Sequence, residues 1–456
     1  MAVDVLLINP WIYDFAAYDL WARPLGLFQI GAKLRQVGYQ VALLDALDPF
    51  HPELPKPPRR KSFGTGHYFR QPVPKPVFFS DVPRRFARYG MPAEVFKQEL
   101  KRLGPPKVIL VTSLMTYWYP GVVEAVRLAK EIYPEVPVLL GGVYATLCPE
   151  HARTMVGADL VFSGPEDESL LKAVQDLVKP SGAKAPHPYP VFDLQTRIPY
   201  VVIATSYGCP FGCPYCASKL LQPTFRQRDP EEVASEIEFW HKSYGVIDFA
   251  FYDDALLLNF DHHLGVILDK ILSKGLKLRF HTPNALHLRF ITPEVAHLLY
   301  QAGFETLRFG LETADPKRRA KLDHKVSVED LPRAMAYLRE AGFRGEQLGV
   351  YLLWGLPDQD FEEVKASARY VAYHGASPYL AEYSPIPKTE LYQEALRVSR
   401  YPLDEDPLFH NNSCFPCLSK PDWEAIEETK RYVRALRAEV KARSTPRGFH
   451  LKPRPF

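Results

Sequence analysis

The chain has 456 residues, of which 46% are apolar and 24% charged, so it can bury the cores of two or three domains. Its formal net charge is +3, from 56 basic and 53 acidic side chains, and this balance gives no strong field that would predict binding to nucleic acid. The apolar runs fall short of the ~18 residues that a spanning helix needs. No secretory signal precedes the first β-rich run, so we expect a cytoplasmic protein without a membrane span.

The first part of the chain alternates between short β-rich runs and amphipathic helices. The predicted elements are strand 3–8, helix 25–37, strands 40–44 and 108–112, helix 122–132, strands 136–140 and 160–162, and helix 167–178. Such alternation favours a parallel sheet with helices on both faces. We therefore predict an α/β, doubly wound domain over residues 1–178.

Two proline-rich segments interrupt this pattern. Residues 49–83 contain nine prolines, which argues against regular structure, and we expect an ordered insertion or lid, with a solvated surface loop as the alternative. Residues 179–195 contain four prolines and are predicted to be a linker.

A second α/β series follows the linker. Strands are predicted at 201–206, 248–252, 278–282, 306–310, 348–353 and 379–383, with helices such as 230–244 and 293–302 between them. Regular βα repeats predict a partial (β/α)6 TIM-like barrel over residues 196–395, with its active site at the carboxyl ends of the strands. Residues 396–456 form a C-terminal extension with an amphipathic helix at 422–443.

The most informative motif follows the first barrel strand. Cys209, Cys213 and Cys216 crowd into eight residues, and thiolates are the ligands that iron–sulfur clusters prefer. A zinc site of three cysteines and a histidine is an alternative. So is a four-cysteine electron-transfer cluster that recruits Cys148, Cys414 or Cys417. Separately, His410, Cys414 and Cys417 could supply ligands for a second metal, although the sequence shows no fourth ligand.

The spacing C-x3-C-x2-C, with Tyr215 before the last cysteine, resembles the radical S-adenosylmethionine (SAM) superfamily. The resemblance implies a 4Fe-4S cluster whose open iron is chelated by the amino and carboxylate groups of SAM. Electron transfer to SAM would then yield a 5′-deoxyadenosyl radical. In this interpretation the cofactor carries the difficult chemistry, and the protein supplies orientation and exclusion of water.

The same resemblance places SAM contacts at the ends of successive barrel strands. Each contact has a structural alternative as a helix cap or a turn. Arg226 and Arg228, after the cysteine loop, could bind a carboxylate or be solvated charges. The expected SAM-binding residues are Tyr215, Asp253 or Asp254 for the amino group, Asn284 and Glu312 for hydroxyls, and Gly355 beside the adenine.

The N-terminal domain resembles the cobalamin-binding domains that are attached to many radical enzymes. In a doubly wound sheet, ligands bind at the carboxyl ends of the strands near the switch in strand order. No histidine follows the first strand, so the cobalt-ligating histidine of cobalamin-dependent mutases is missing, and a sheet kept only as scaffold is the alternative. The residues expected at cobalamin are Asn9, Ser113, Leu114, Thr116, Gly141, Gly142 and Tyr144.

Together the two resemblances imply a radical SAM enzyme that performs cobalamin-dependent methyl transfer to an unactivated carbon. The alternatives are a cobalamin-independent rearrangement, cyclisation or sulfur insertion, and a non-catalytic sensor that binds the cluster or cobalamin. The expected partners are a small-molecule substrate of unknown class and an electron donor such as flavodoxin or ferredoxin. No nucleic-acid partner is expected.

Overall fold

The computed structural model describes residues 3–165, 167–185, 187–322, 326–327 and 329–444. Residues 445–456 of the predicted C-terminal extension lie outside the described residues. Among the helices that are described, none is both long and apolar enough to cross a membrane.

The N-terminal domain is built on a parallel sheet. Its strands are β1 (Val5–Asn9), β2 (Ile12–Asp14), β3 (Tyr18–Asp19), β4 (Val41–Asp45), β5 (Gly66–His67), β6 (Arg70–Pro72), β7 (Ala87–Tyr89), β8 (Val108–Val111), β9 (Val138–Leu140) and β10 (Leu160–Val161). Its helices are α1 (Leu25–Val37), α2 (Ala93–Leu103), α3 (Tyr119–Ile132), α4 (Val143–Leu147), α5 (Pro149–Met155) and α6 (Asp167–Leu177).

Within the described residues, the main sheet has the order β10-β9-β8-β1-β4, and every pairing is parallel. Strands β1, β8 and β9 are buried along their whole length, as expected of apolar runs that are covered by helices on both faces. The chain order reverses between β1 and β8, and this reversal opens a crevice at the carboxyl ends of these strands. The predicted doubly wound fold is confirmed.

The proline-rich insertion is ordered. Its strand β6 pairs with β7, which follows the insertion and also pairs with β2, and its strand β5 pairs with β3; all three pairings are antiparallel. The Phe63 ring lies 4.7 Å from the ring of His281 in the barrel. The insertion therefore joins the two halves of the chain.

The second domain is a partial barrel, as predicted. Its strands are β11 (Val201–Ile203), β12 (Ser206–Tyr207), β13 (Arg226–Gln227), β14 (Asp248–Phe251), β15 (Arg279–His281), β16 (Leu286–His287), β17 (Phe304–Glu312), β18 (Leu348–Trp354) and β19 (Ser377–Glu382). Its helices are α7 (Ser218–Leu221), α8 (Pro230–Tyr244), α9 (Leu264–Ser273), α10 (Pro293–Gln301), α11 (Pro316–Leu322), α12 (Asp330–Ala341), α13 (Phe361–Tyr373) and α14 (Glu390–Val398), and the C-terminal extension adds α15 (Trp423–Ser444).

Six of the described strands form the barrel wall in the order β11-β14-β15-β17-β18-β19, with parallel pairing throughout. Strands β12 and β13 form an antiparallel hairpin that flanks the cysteine loop. Parallel strands in one sheet bring all their carboxyl ends to one edge, so the motifs at those ends meet there.

The two domains share one apolar core. Buried side chains of β1 and α1 belong to the same cluster as those of β11, β14 and α8. Trp21, from the N-terminal domain, stacks on His281 of the barrel at 4.5 Å, and the Arg23 amide donates to the Tyr252 hydroxyl at 2.9 Å. This continuous packing fixes one domain against the other.

Candidate active site

A cleft of about 540 Å3 lies at the carboxyl ends of the barrel strands. This volume is in the usual range of small-molecule sites, roughly 300–1,000 Å3. The side chains of Cys209, Cys213 and Cys216 all line it. Of the residues predicted to contact SAM, the cleft is also lined by Tyr215, Asp254, Asn284 and Glu312.

The cysteine loop is held by local hydrogen bonds. The Cys216 amide donates to the Cys213 carbonyl at 3.0 Å, and the Ser218 amide donates to the Cys216 Sγ at 3.4 Å. Gly208 has φ 75°, a left-handed conformation that suits glycine, and it turns the chain between the strand and the loop. The loop therefore presents its three thiols to one space.

Asp253 and Asp254 are adjacent in the sequence but occupy different environments in the structure. Asp253 is 4% exposed and does not line the cleft. Its carboxylate accepts hydrogen bonds of 2.5–3.1 Å from the amides and hydroxyls of Thr205 and Ser206. Burial raises the pKa of Asp253, and these hydrogen bonds oppose the shift. Of the two aspartates, only Asp254 reaches the cleft, where the Ser218 hydroxyl donates to it at 2.5 Å.

Asn284 and Glu312 are held in place at the cleft by the backbone. The Asn284 side-chain amide donates to the Tyr252 carbonyl at 2.7 Å. Glu312 lies at a register shift between β17 and β18, with φ 64° and 7% exposure. A non-glycine residue with this φ is strained by about 1–3 kcal/mol, and such strain clusters at functional sites.

The structure does not bring Gly355 to the cleft. A Cβ on this residue would lie 2.9 Å from the Phe415 ring, so the glycine permits close packing of the C-terminal extension against the end of β18. Its φ is 80°, and its amide donates to the Gln359 side chain at 2.9 Å. In this structure Gly355 forms a tight turn.

The arrangement disfavours single-ion metal sites. Among the described residues, no group of three or more His, Cys, Asp or Glu side chains is arranged to hold one metal ion. A zinc site needs four ligands about 2.0–2.3 Å from one ion. A 4Fe-4S cluster binds each thiolate through a different iron, so its ligands stand further apart. Three cysteines around one cleft fit the cluster.

The described residues His410, Cys414 and Cys417 are not arranged to hold a metal ion. His410 is 2% exposed, with Nδ1 3.0 Å from the Thr116 hydroxyl and Nε2 2.9 Å from the Leu403 carbonyl. Burial lowers the pKa of His410 to about 4. Burial also raises the pKa of both Cys414 and Cys417, the latter to about 12. They are apolar core residues.

A much larger cavity, of about 1390 Å3, lies between the two domains. It exceeds the usual volume of small-molecule sites, roughly 300–1,000 Å3. Gly26, Gly141 and Gly164 line it, and a Cβ added to any of them would meet no atom within 4 Å. A wall of bare backbone beside open space lets a large, flat ring approach closely. The cavity thus fits cobalamin in both size and lining.

Four of the predicted cobalamin residues line this cavity, namely Ser113, Leu114, Gly141 and Gly142. Three others do not. Asn9 donates to Asp45 at 2.7 Å, Thr116 faces His410, and the Tyr144 hydroxyl lies 2.6 Å from His151 Nδ1. These three side chains are buried, and each forms a hydrogen bond with another side chain inside the protein instead of lining the cavity.

The cleft and the large cavity adjoin. Both are lined by Cys216, Ser218, Asp254 and Asn284. The wall that holds Cys216 therefore also borders the larger cavity. No residue of the insertion 49–83 lines either space, so the insertion is not a lid over them.

Sequence reasoning missed several residues of the large cavity. Met115, Tyr207 and Gln29 line it, as do Pro188, Tyr189 and Pro190 of the linker. Arg226 and Arg228, which were considered above as candidate carboxylate-binding residues, line it too. Met115 directly follows the predicted Ser113 and Leu114 in the sequence, so its position beside them could have indicated that it lines the cavity. The linker and α1 residues carry no local signal, because only domain packing brings them to the cavity.

Comparison with known proteins agrees with this geometry. Residues 203–371 match the radical SAM superfamily, and residues 89–174 match the B12 binding domain. The chain is a radical SAM enzyme with a B12-binding domain. These two domains imply a 4Fe-4S cluster, SAM and cobalamin as the cofactors of this radical SAM enzyme.

Relatives and solved structures resemble this radical SAM enzyme over much of its length. An uncharacterised methyltransferase of Pyrococcus horikoshii is 25% identical over 64% of this chain and 70% of its own length. Cytidylyl-2-hydroxyethylphosphonate methyltransferase of Streptomyces wedmorensis is 24% identical, covering 86% of this chain and 82% of its own. The radical SAM methyltransferase TsrM of Kitasatospora setae, solved with cobalamin and a 4Fe-4S cluster, has a TM-score of 0.65 and 17% identity. That match spans 96% of this chain and 89% of TsrM, and it shows a shared fold.

Proposed function

We propose that this protein transfers a methyl group from SAM to an unactivated carbon of a small-molecule substrate, with cobalamin as the carrier. The observation that carries the proposal is the shared wall of the two spaces, formed by Cys216, Ser218, Asp254 and Asn284. A methyl group that leaves one cofactor for the other must cross between them. Adjoining sites make that transfer possible without release to water.

The chain's own residues would bind and orient the cofactors. Cys209, Cys213 and Cys216 would hold the cluster. Asp254 would accept hydrogen bonds from the ammonium group of SAM, since carboxylates form strong charge-assisted bonds with such groups. When bound, these groups supply one-electron cleavage of SAM and carriage of a methyl group.

Asn284 and Glu312 would contact the hydroxyls of the same ligand, because both line the cleft with polar atoms. Asp253 would not contact SAM itself. It accepts hydrogen bonds from the backbone amides of Thr205 and Ser206, from which the cysteine loop starts, and so fixes that backbone. Side chains that bind a ligand from the end of a rigid strand hold its reacting atoms in a fixed position.

We further propose a cytoplasmic location and a flavodoxin or ferredoxin as electron donor. Cys216 is exposed and Cys209 and Cys213 are partly exposed, so these thiols would oxidise outside a reducing compartment. Reductive cleavage of SAM also needs an electron from outside the chain.

The test does not require the natural substrate. The protein would be reconstituted anaerobically with iron, sulfide and hydroxocobalamin, then incubated with methyl-deuterated SAM and a strong chemical reductant. We expect S-adenosylhomocysteine to form in proportion to bound cobalamin, because methyl loss from SAM is the first half of the transfer. The control is the same protein reconstituted without cobalamin. Release of 5′-deoxyadenosine without S-adenosylhomocysteine would instead favour a rearrangement or cyclisation.

A further inference from the structure

The β12–β13 hairpin displays an arginine on a fixed aromatic platform. Tyr207 and Arg226 are cross-strand partners, and the Arg226 guanidinium lies over the Tyr207 ring at 4.3 Å from its centroid. Stacking a guanidinium on an aromatic face at this distance is favourable and leaves its N–H edge exposed. Both residues line the large cavity between the domains.

The platform is held rigidly from both domains. The side-chain amide of Gln29, on α1, donates to the Tyr207 hydroxyl at 2.6 Å. On the barrel side, the Gln227 side chain donates to the Leu258 carbonyl at 3.0 Å, and the Arg228 amide donates to the Thr205 carbonyl at 2.8 Å. A binding group whose support is this well fixed loses little entropy when it meets a ligand.

The two arginines of the hairpin, Arg226 and Arg228, differ in whether their charge is neutralised by a carboxylate. Arg228 forms an ion pair with Glu236 at 2.6 Å and donates to the Ala204 carbonyl at 2.9 Å, so its charge is already compensated. No carboxylate in the described part of the chain forms an ion pair with Arg226. An arginine that faces a cavity without an acidic partner is suited to an oxyanion, which it can bind through two parallel hydrogen bonds.

We propose that Arg226 is a substrate-binding residue, and that the substrate carries an oxyanion: a carboxylate, phosphate or phosphonate group. This inference rests on the proposed function and names the class of its substrate. A molecule anchored at Arg226 occupies the same cavity that Cys216 and Asn284 border.

Cobalamin also carries a phosphate, in its nucleotide tail, so the test must separate the two sources of the oxyanion. Inorganic phosphate would be titrated calorimetrically, at constant ionic strength, into the reconstituted holoenzyme, in which cobalamin is already bound. The affinity for hydroxocobalamin would be measured separately by absorbance. The variants are Arg226→Ala, Arg226→Gln and Arg226→Lys.

Arg289→Ala is the matched control. Arg289 is likewise exposed and lies over an aromatic ring, 5.5 Å from the centroid of Phe290, but lines neither space. We expect Arg226→Ala and Arg226→Gln to weaken phosphate binding by about tenfold or more, because a charge-assisted pair is lost. Arg226→Lys keeps the charge without the paired geometry and should lie between them and the wild type. Arg289→Ala should bind phosphate as the wild type does.

Hydroxocobalamin affinity should be the same in all these variants, which also shows that they fold. Phosphate binding that is absent from the wild type, or unchanged without Arg226, would overturn the proposal. A tenfold loss of hydroxocobalamin affinity on removing Arg226 would assign the arginine to the cofactor and overturn it as well. Phosphate binding through Arg226 in a wild-type enzyme that forms no S-adenosylhomocysteine would contradict only the methyl transfer.

Discussion

Replacing Asp253 tests whether this residue supports the cysteine loop or binds SAM. Its carboxylate is 4% exposed and satisfies the amides and hydroxyls of Thr205 and Ser206. In Asp253→Ala, the two backbone amides are left buried without acceptors. Each such group costs about 1–3 kcal/mol, so the local structure should weaken by about 2–6 kcal/mol.

Asp253→Asn should cost much less. The Oδ1 atom accepts four of the five contacts, whereas Oδ2 accepts only from the Thr205 amide, which Oδ1 also accepts at 3.1 Å. An asparagine oriented with its oxygen at the Oδ1 position keeps those contacts. We expect a loss of about 1 kcal/mol, the typical net value of one hydrogen bond.

Hydrogen exchange followed by mass spectrometry on a peptide spanning residues 201–216 measures this directly. A loss of 2 kcal/mol corresponds to about a 30-fold faster exchange of the Thr205 and Ser206 amides. The matched control is Asp254→Asn, which should leave those amides protected and weaken SAM binding. Equal protection in wild type and Asp253→Ala, with SAM affinity lost in Asp253→Ala, would refute the supporting role.

Further changes probe the two cofactor sites and the pH dependence of folding. Cys213→Ala should lose the cluster iron and abolish SAM cleavage while it still binds hydroxocobalamin, as checked by metal analysis and product assay; full cleavage would contradict the cluster assignment. Gly141→Leu should do the reverse, because its side chain enters the open cavity and should weaken hydroxocobalamin binding at least tenfold with iron retained. Burial and the nearby Asp48 raise the pKa of Asp45 to about 6, so its ionisation destabilises the fold as pH rises towards and through 6. Asp45→Asn should therefore gain about 1 kcal/mol more stability relative to wild type at pH 7 than at pH 5, measured by urea unfolding; an equal difference at both pH values would argue against this.

Local sequence patterns were sufficient for the fold and for the three cysteines that line the cleft. Helices α1 and α8 begin and end where their periodicity predicts, at 25–37 and 230–244. The barrel strands lie within a few residues of their predicted positions. Hydrophobic period and turn residues are properties of neighbouring positions, and so is the spacing of Cys209, Cys213 and Cys216. Such signals need no knowledge of distant contacts.

The roles of individual polar residues depended on distant partners. Asp253 and Asp254 are adjacent, yet one is buried against Thr205 and the other faces the cleft. Successive residues at the end of a strand point in opposite directions, and the sequence does not say which direction is the interior. Thr116 was predicted at cobalamin, but it faces His410, almost 300 positions away along the chain.

The sequence by itself determined two α/β domains, a three-cysteine loop and the glycine pair Gly141-Gly142, because each is written in a short stretch of chain. Only the tertiary structure decided that the cluster cleft and the large cavity share a wall, that Gly355 packs on Phe415, and that Arg226 lies in the cavity without an acidic partner among the described residues. The physical reason is that a cavity is bounded by side chains from separate elements, and the packing of one domain against the other sets their distances.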